Sequence, residues 1–368
     1  MPLDLSGTSI DITRQLCDIE SVSGGEKPLA DAIEAALVGL DHLEVVRDGD
    51  TVSARTRLGR AQRVIIAGHI DTVPLNDNLP TRFETLESAT DAGQTVPVDY
   101  LWGRGTVDMK AGVAVQLKLA AELTDPVVDV TWMWYDHEEV SEQLNGLGRL
   151  ARNRPDLFVG DFAILGEPTR AAVEGGCNGN LRIEVRTFGK RAHSARAWVG
   201  NNAIHAAAAI LDTLAAYTPR EVAVDGLVYR EGLNAVGIAG GVAGNVIPDE
   251  CMVHINYRFA PDRTVEQAVE HMYELFGDYE ITVVDKTAGA RPGLDAPLAK
   301  QFLATLGVQA LPKYGWTDVA RFWALGIPAV NYGPGDPLLA HADDERVALH
   351  QITECERGLR AWLTASDG

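Results

Sequence analysis

The sequence predicts an α/β fold into which a smaller ferredoxin-like α+β unit (βαββαβ) is inserted, and three features of the chain carry that prediction. From about residue 10 to 178, short and nearly continuous apolar runs alternate with helical stretches, as strands of a sheet covered on both faces do. From about 180 to 287 the order becomes strand-helix-strand-strand-helix-strand, with the residue-by-residue alternation of half-exposed strands. After 288 the buried-strand style returns, which nests the smaller unit inside the larger one. The expected domains are therefore 1–178 with 288–368, and 179–287, two being the expectation for 368 residues.

Taken in order, Leu29 to Leu40 reads as a helix and LEVVRDGDTVSARTR as a hairpin around Asp48-Gly49. RVIIAGHID is a buried strand, VDMKAGVAVQLKLAAEL a long helix, and VDVTWMWYDHEE and DFAILGEP two further strands. In the inserted part, LRIEVRTFG is a strand and NNAIHAAAAILDTLAAY a helix. LNAVGIAGG and ECMVHINYRF follow as strands, TVEQAVEHMYELFG as a helix and YEITVVD as the last strand. TDVARFWALG is a helix with Thr317 as N-cap and Gly326 at its end. IPAVNYGPG is a strand, and the tail from about Asp344 to Ala365 is a final helix.

Composition narrows the function. Hydrophobic residues are 46% and charged residues 23%, ordinary for a globular chain that buries its own core without disulfides. Lys plus Arg is 32 against 52 Asp plus Glu, a net charge of -20, which argues against a nucleic-acid or anionic-membrane partner. An anionic substrate must then be held by a few locally placed Arg or Lys residues. Cys17, Cys177, Cys251 and Cys355 are scattered and form no CxxC pair, which suits a reduced, cytoplasmic protein. MPLDLSGTSIDITRQL has no basic stretch leading into an apolar one, so no signal peptide is expected. No apolar run approaches the roughly 18 residues of a membrane span.

The chemistry-bearing residues share a placement. His69 follows Val64-Ile65-Ile66-Ala67, Glu138 and Glu139 follow Trp132-Met133-Trp134, Glu167 follows Phe162-Ala163-Ile164-Leu165, and His341 lies beyond Ala329-Val330-Asn331. Each sits past the carboxyl end of an expected buried strand, the edge where open α/β sheets gather ligands. Asp108 lies at the mouth of the long helix, in the Gly-rich loop GRGTVD. Imidazoles with carboxylates suit divalent zinc, cobalt or manganese, and Asp108 is the short carboxylate that could bridge two such ions. Asp71 can accept the ring N–H of His69 and fix its tautomer. Each residue also has a plain structural reading: a packed histidine, a solvated acidic pair, a helix cap, or a turn at Gly-Glu-Pro. Position alone leaves both readings standing.

GHIDTVP, GRGTVDMKAGVA, HEEV, GEPT and LLAHADDERV occur in the order found in the M20 family of metallopeptidases and amidohydrolases, which the chain resembles over nearly its whole length. The resemblance implies a zinc-peptidase-like catalytic domain with an inserted lid and dimerisation domain. It implies two zinc ions (cobalt or manganese as alternatives): His69 and Glu167 on one, Glu139 and His341 on the other, with Asp108 bridging. Glu138 would be the general base, and the Asp108–Met109 peptide would be cis. His137 stands where family members often carry an acidic or small residue, which leaves a role for it near the metals open. His193, in GKRAHSA, is similar in position to the histidine that M20 homodimers offer across the subunit interface. Arg258 in NYRF and Asn245 in GNVIP resemble the family's clamp on a substrate carboxylate, a task that suits a guanidinium fork. Without the resemblance these three are a surface histidine, a strand charge and a turn residue.

GWTDVARF, with Thr317, Asp318 and Arg321, and NYGPGDPLLAHADDE resemble the bacterial branch that hydrolyses N-succinyl-L,L-2,6-diaminopimelate to succinate and L,L-diaminopimelate, toward lysine and peptidoglycan. The rivals are another M20 deacylase acting on acetylornithine, or a dipeptidase. A non-catalytic binding protein on the same fold is a rival of another class, and should lack a ligand or the base. A serine or cysteine esterase finds no G-x-S-x-G elbow here, and Cys177 between turn glycines reads as structural.

Overall fold

A computed structural model of the chain describes residues 3–89 and 95–365. The chain divides into two compact units: Met1–Gly175 with Gly293–Leu311 and Arg321–Gly368, and Gly176–Pro292 with Pro312–Ala320.

The first unit is built on an eight-stranded sheet in the order Glu44–Asp48, Thr51–Arg55, Asp129–Tyr135, Arg63–His69, Phe162–Leu165, Ala329–Asn331, Glu174–Gly175, Leu311–Pro312. Its four middle strands are parallel, with His69 opposite Tyr135, Ala67 opposite Leu165, and Leu165 opposite Asn331. Their carboxyl ends therefore share one edge. Val64, Ile66, Val130, Trp132, Phe162 and Ile164 pack with Val113, Leu117, Leu359 and Trp362 into the main core. The helix Lys110–Glu122 is buried on every side from Lys110 to Ala120, which explains why its sequence shows no single apolar stripe. Gly112 lets this helix touch the strand-end loop: a Cβ there would lie 2.2 Å from the Gly166 carbonyl oxygen.

The observed elements differ from expectation in a few places. The helix expected over Leu29 to Leu40 spans Lys27–Leu37, and the one expected over 201–217 breaks at Ala207 into Ala203–Ala206 and Ala208–Ala216. The final helix begins at Leu349, not near Asp344, because Arg346–Ala348 pairs antiparallel with Tyr100, Leu101 and Trp102 as an edge of a separate sheet. That sheet also contains Arg82–Ala89 and Thr95–Trp102, for which periodicity had raised no expectation.

The second unit holds a four-stranded antiparallel sheet in the order Gly232–Gly240, Glu250–Phe259, Gly179–Phe188, Glu280–Thr287. One face, with Leu181, Ile183, Val185, Val253, Ile255 and Tyr257, packs against Ile210, Ala268, Met272 and Phe276 of two helices. The helix Val265–Phe276 starts at a capping box of Thr264 and Gln267. Alternation sends Arg182, Glu184, Asn256 and Arg258 to the other face. A further hairpin, Glu221–Val224 with Leu227–Arg230, turns at Asp225-Gly226, both at positive φ as its tight turn requires. Among the described residues, no helix is long and apolar enough to cross a membrane.

Candidate metal centre

His69 is the last residue of its strand and is buried. Its Nδ1 lies 3.0 Å from the Asp71 carbonyl oxygen and 3.5 Å from the Asp71 carboxylate, while its Nε2 lies 3.0 Å from Asp108 Oδ1. Burial pushes the ring toward its neutral form, but Asp108 and Asp71 outweigh that and hold its pKa well above the ordinary histidine value. On the other side of Asp108, His341 Nε2 is 3.4 Å from Oδ2 and 3.0 Å from Glu139 Oε1. Asp108 and Glu139 raise the His341 ring to about 10. Asp108 would be pushed up by burial, yet the two imidazoles win and hold it far below the usual carboxylate range. One short carboxylate thus stands between two histidine rings.

Three groups of side chains bring their donor atoms within 4.8 Å of one another: His69, Asp108 and Glu167; Asp108, Glu139 and His341; His69, Glu138 and Glu139. The first two share Asp108. In this arrangement, protons on the imidazoles offset the carboxylates, and a divalent cation can take their place. Nitrogen and oxygen donors of this kind fit zinc, cobalt or manganese.

The backbone around these residues is held by acids outside that donor set. The Asp71 carboxylate accepts the N–H groups of Glu138 at 3.0 Å and Glu139 at 3.1 Å and the Ser23 hydroxyl at 2.7 Å. Asp71 therefore offers His69 its backbone carbonyl most directly, and its side chain orients the acidic pair. Burial tends to raise the Asp71 carboxyl, but His69, Ser23 and the Glu138 N–H outweigh it and keep it below the usual range. His137, at φ +58°, sets its ring against Asp136 at 2.7 Å and Glu26 at 3.3 Å, so the ring is committed to those two buried acids. Glu345, wholly buried, accepts the N–H groups of Val107 and Asp108 and pairs with Arg104. Sequence reasoning missed Arg104 and Glu345. Glu345 sits in the acidic run Asp343-Asp344-Glu345, where nothing in residue type separates the buried acid from its exposed neighbours.

The remaining candidates lie on the second unit. His193 ends a two-residue strand opposite Val246, Ser194 donates its N–H to the Asn245 carbonyl at 2.9 Å, and the two candidates are thereby brought side by side. The exposed His193 ring accepts the Ala195 N–H at Nδ1, 3.1 Å away. Arg258 stands opposite Asn180 on the polar face of the sheet; burial and the neighbouring Arg182 push its guanidinium down. Among the described residues no carboxylate pairs with it. Thr317 is buried in the Pro312–Ala320 segment, its carbonyl 3.8 Å from Cys177 Sγ, a thiol pushed up to about 11 by burial. The Asp108–Met109 peptide is cis.

Residues 65–365 match the model of peptidase family M20/M25/M40. A Mycobacterium tuberculosis protein provisionally named succinyl-diaminopimelate desuccinylase DapE is 52% identical over 98% of this chain and 99% of its own. The succinyl-diaminopimelate desuccinylase of Corynebacterium glutamicum is 46% identical over 98% of both. Among solved structures, an M20 family metallo-carboxypeptidase from Sulfolobus solfataricus superposes with a TM-score of 0.74 at 17% identity, covering 97% of this chain and 98% of that one. A Staphylococcus aureus tripeptidase does so with 0.72 at 19%, covering 99% and 98%. At such identities the structures bear on fold alone.

Proposed function

The chain belongs to peptidase family M20/M25/M40, and from that premise we propose that it hydrolyses the amide bond of N-succinyl-L,L-2,6-diaminopimelate, releasing succinate and L,L-diaminopimelate. The observation that carries this reading is the likeness, along nearly the full length of both chains, to two proteins named for that activity. The place of the reaction is then the synthesis of diaminopimelate and lysine. A half-buried Arg258, with no carboxylate paired to it among the described residues, supports a substrate with several carboxylates, since an anion would offset both the desolvation of its charge and its repulsion from Arg182.

Two donor groups sharing Asp108 support two divalent cations, zinc foremost, held by His69, Asp108 and Glu167 and by Asp108, Glu139 and His341. When bound, such cations acidify a water and polarise the amide carbonyl. Glu138 takes the proton from the attacking water on a carboxylate oxygen and hands it to the departing amine nitrogen. Asp71, through the Glu138 and Glu139 N–H groups, keeps that carboxylate in position. With Nδ1 accepting from Ala195, a neutral His193 carries its proton on Nε2, where it can donate to the developing oxyanion. Arg258, Asn245 and Thr317 are assigned to substrate carboxylates.

A homodimer belongs to the same proposal. The edge strand Gly232–Gly240 exposes Val236 (66%) and Ile238 (53%), an apolar edge of the kind that pairs with another chain. Four free, buried cysteines support a reduced, cytoplasmic setting.

The test is a substrate panel with zinc-loaded protein: succinyl-diaminopimelate, acetylornithine and dipeptides. The expected kcat/KM for the first exceeds the others by on the order of 100-fold, as a site built around a particular polar group discriminates. Turnover of acetylornithine without turnover of succinyl-diaminopimelate would reassign the enzyme within the family.

A further inference from the structure

We infer that Arg104 and Glu345 are a positioning pair that clamps together the loops carrying Asp108 and His341, and so sets how tightly a cation is held by Asp108, Glu139 and His341. The inference rests on the metal-centre reading above. Both residues are buried, with 4% and 0% of their surface exposed, and Arg104 Nη1 lies 2.8 Å from Glu345 Oε2. The other carboxylate oxygen, Oε1, accepts the Val107 N–H at 2.9 Å and the Asp108 N–H at 3.1 Å. Arg104 Nη1 also reaches the carbonyl of Ala342, next to His341, at 3.3 Å. The backbone adds one more tie, from the Gly103 N–H to the Glu345 carbonyl at 2.9 Å. Two residues thus join residues 103–108 to residues 342–345 through five hydrogen bonds.

Such a pair is a poor device for stability alone, because a buried ion pair is often matched or bettered by apolar residues of similar size. It does suit alignment. Asp108 has a single side-chain carbon before its carboxyl, so the position of its oxygens follows its backbone closely, and Glu345 grips that backbone at the Asp108 N–H itself. His341, at φ +63°, is in a conformation that its surroundings must impose, and the Ala342 contact is part of what imposes it. Arg104 also sets a positive charge against a buried carboxylate whose other side-chain contacts include the Val107 and Asp108 N–H groups.

The experiment titrates metal-stripped protein with Co2+ and Zn2+, reading the Co2+ visible spectrum and the ion count per chain, with circular dichroism and Tm as checks on folding. Glu345→Gln keeps an oxygen for the backbone N–H groups and loses the charge; Arg104→Lys keeps the charge and loses the fork; Glu345→Ala loses everything. Cation affinity is expected to fall by about 10- to 100-fold in Glu345→Ala, as for loss of a group that orients a ligand, with smaller losses in the two conservative variants. The Co2+ spectrum should change in the same order, and kcat should fall more than KM rises. If Glu345→Ala does not fold, the two conservative variants carry the comparison. Folded variants with wild-type affinity and an unchanged Co2+ spectrum, whatever their Tm, would overturn the inference and leave the pair a structural brace. A wild-type protein that binds fewer than two ions would instead sink the metal-centre reading, and this inference with it.

Discussion

At the scale of single residues, the centre separates acids that face the cluster from acids that hold the backbone. Asp108, Glu139 and Glu167 bring oxygens to the donor groups, whereas Asp71 and Glu345 accept main-chain N–H groups beside them. Glu138 is the residue whose role is sharpest to test. Glu138→Gln should keep its bound metal, because His69, Asp108, Glu139, Glu167 and His341 remain, and should lose turnover by on the order of 100-fold or more, as removal of a general base does. Metal analysis and kcat on one preparation check this; metal loss in step with activity would make Glu138 a ligand. His69, Glu139 and Glu167 stood out in the sequence as candidates because each follows an apolar run, whereas Asp108 lies in a Gly-rich loop and His341 well beyond its strand. Glu345 did not stand out, since burial of one acid within an acidic run depends on how a distant loop folds over it, and Asp71 stood out only as a partner of His69, not of the Glu138 and Glu139 N–H groups.

At the scale of elements, close approach decides more than propensity does. Gly112 on the helix Lys110–Glu122 and Gly333 beyond the strand Ala329–Asn331 both meet the Gly166 carbonyl, at 2.2 Å and 2.1 Å from where a Cβ would stand. Gly112→Ala should therefore push on the backbone just before Glu167, costing about 1–3 kcal/mol of stability by overpacking and loosening the His69, Asp108 and Glu167 group. A lowered Tm together with a lowered ion count would show both effects; an unchanged Tm would mean that the loop yields freely. In the second unit, Glu231 is buried, with Arg220 Nη2 at 2.7 Å and the Ala260 N–H at 3.0 Å. Burial raises its carboxyl, but Arg220, the Ala260 N–H and Tyr257 outweigh burial and hold it below the usual range. A carboxyl depressed on folding adds stability above its unfolded pKa of about 4.3, and that contribution is lost as pH falls through the lower folded value. Glu231→Gln should accordingly be less stable than wild type at pH 7 by about 1–3 kcal/mol, with the gap closing below about pH 4. Thermal melts of both proteins across that range decide it. The hairpin of Glu44–Asp48 with Thr51–Arg55 carried a readable Asp-Gly signal at Asp48-Gly49, whereas the hairpin at Asp225-Gly226 was not read, and the three-stranded sheet joins Thr95–Trp102 to Arg346–Ala348 across a separation in sequence that no local pattern reports.

At the scale of the whole molecule, a net charge of -20 makes self-association depend on local apolar surface, because like charges oppose approach. The exposed Val236 and Ile238 on an edge strand are the surface our dimer proposal uses. A Val236→Lys, Ile238→Lys double variant should sediment as a monomer and keep its metal, while its turnover falls to the level of His193→Ala. A monomer with full activity would remove His193 from any role across an interface, and a dimer that persists would move the interface elsewhere.

Alternating apolar runs and helices were enough to indicate the α/β class, the order of strands and helices, and the collection of His69, Glu138, Glu139, Glu167 and His341 past strand ends, because hydrophobic periodicity reports local conformation and which faces are buried. The order of strands within each sheet, the nearness of Asp108 to both His69 and His341, and the grip of Asp71 and Glu345 on the loop backbones came only from tertiary structure. Those contacts join segments up to 238 residues apart, and which partner meets which is settled by packing of the whole unit.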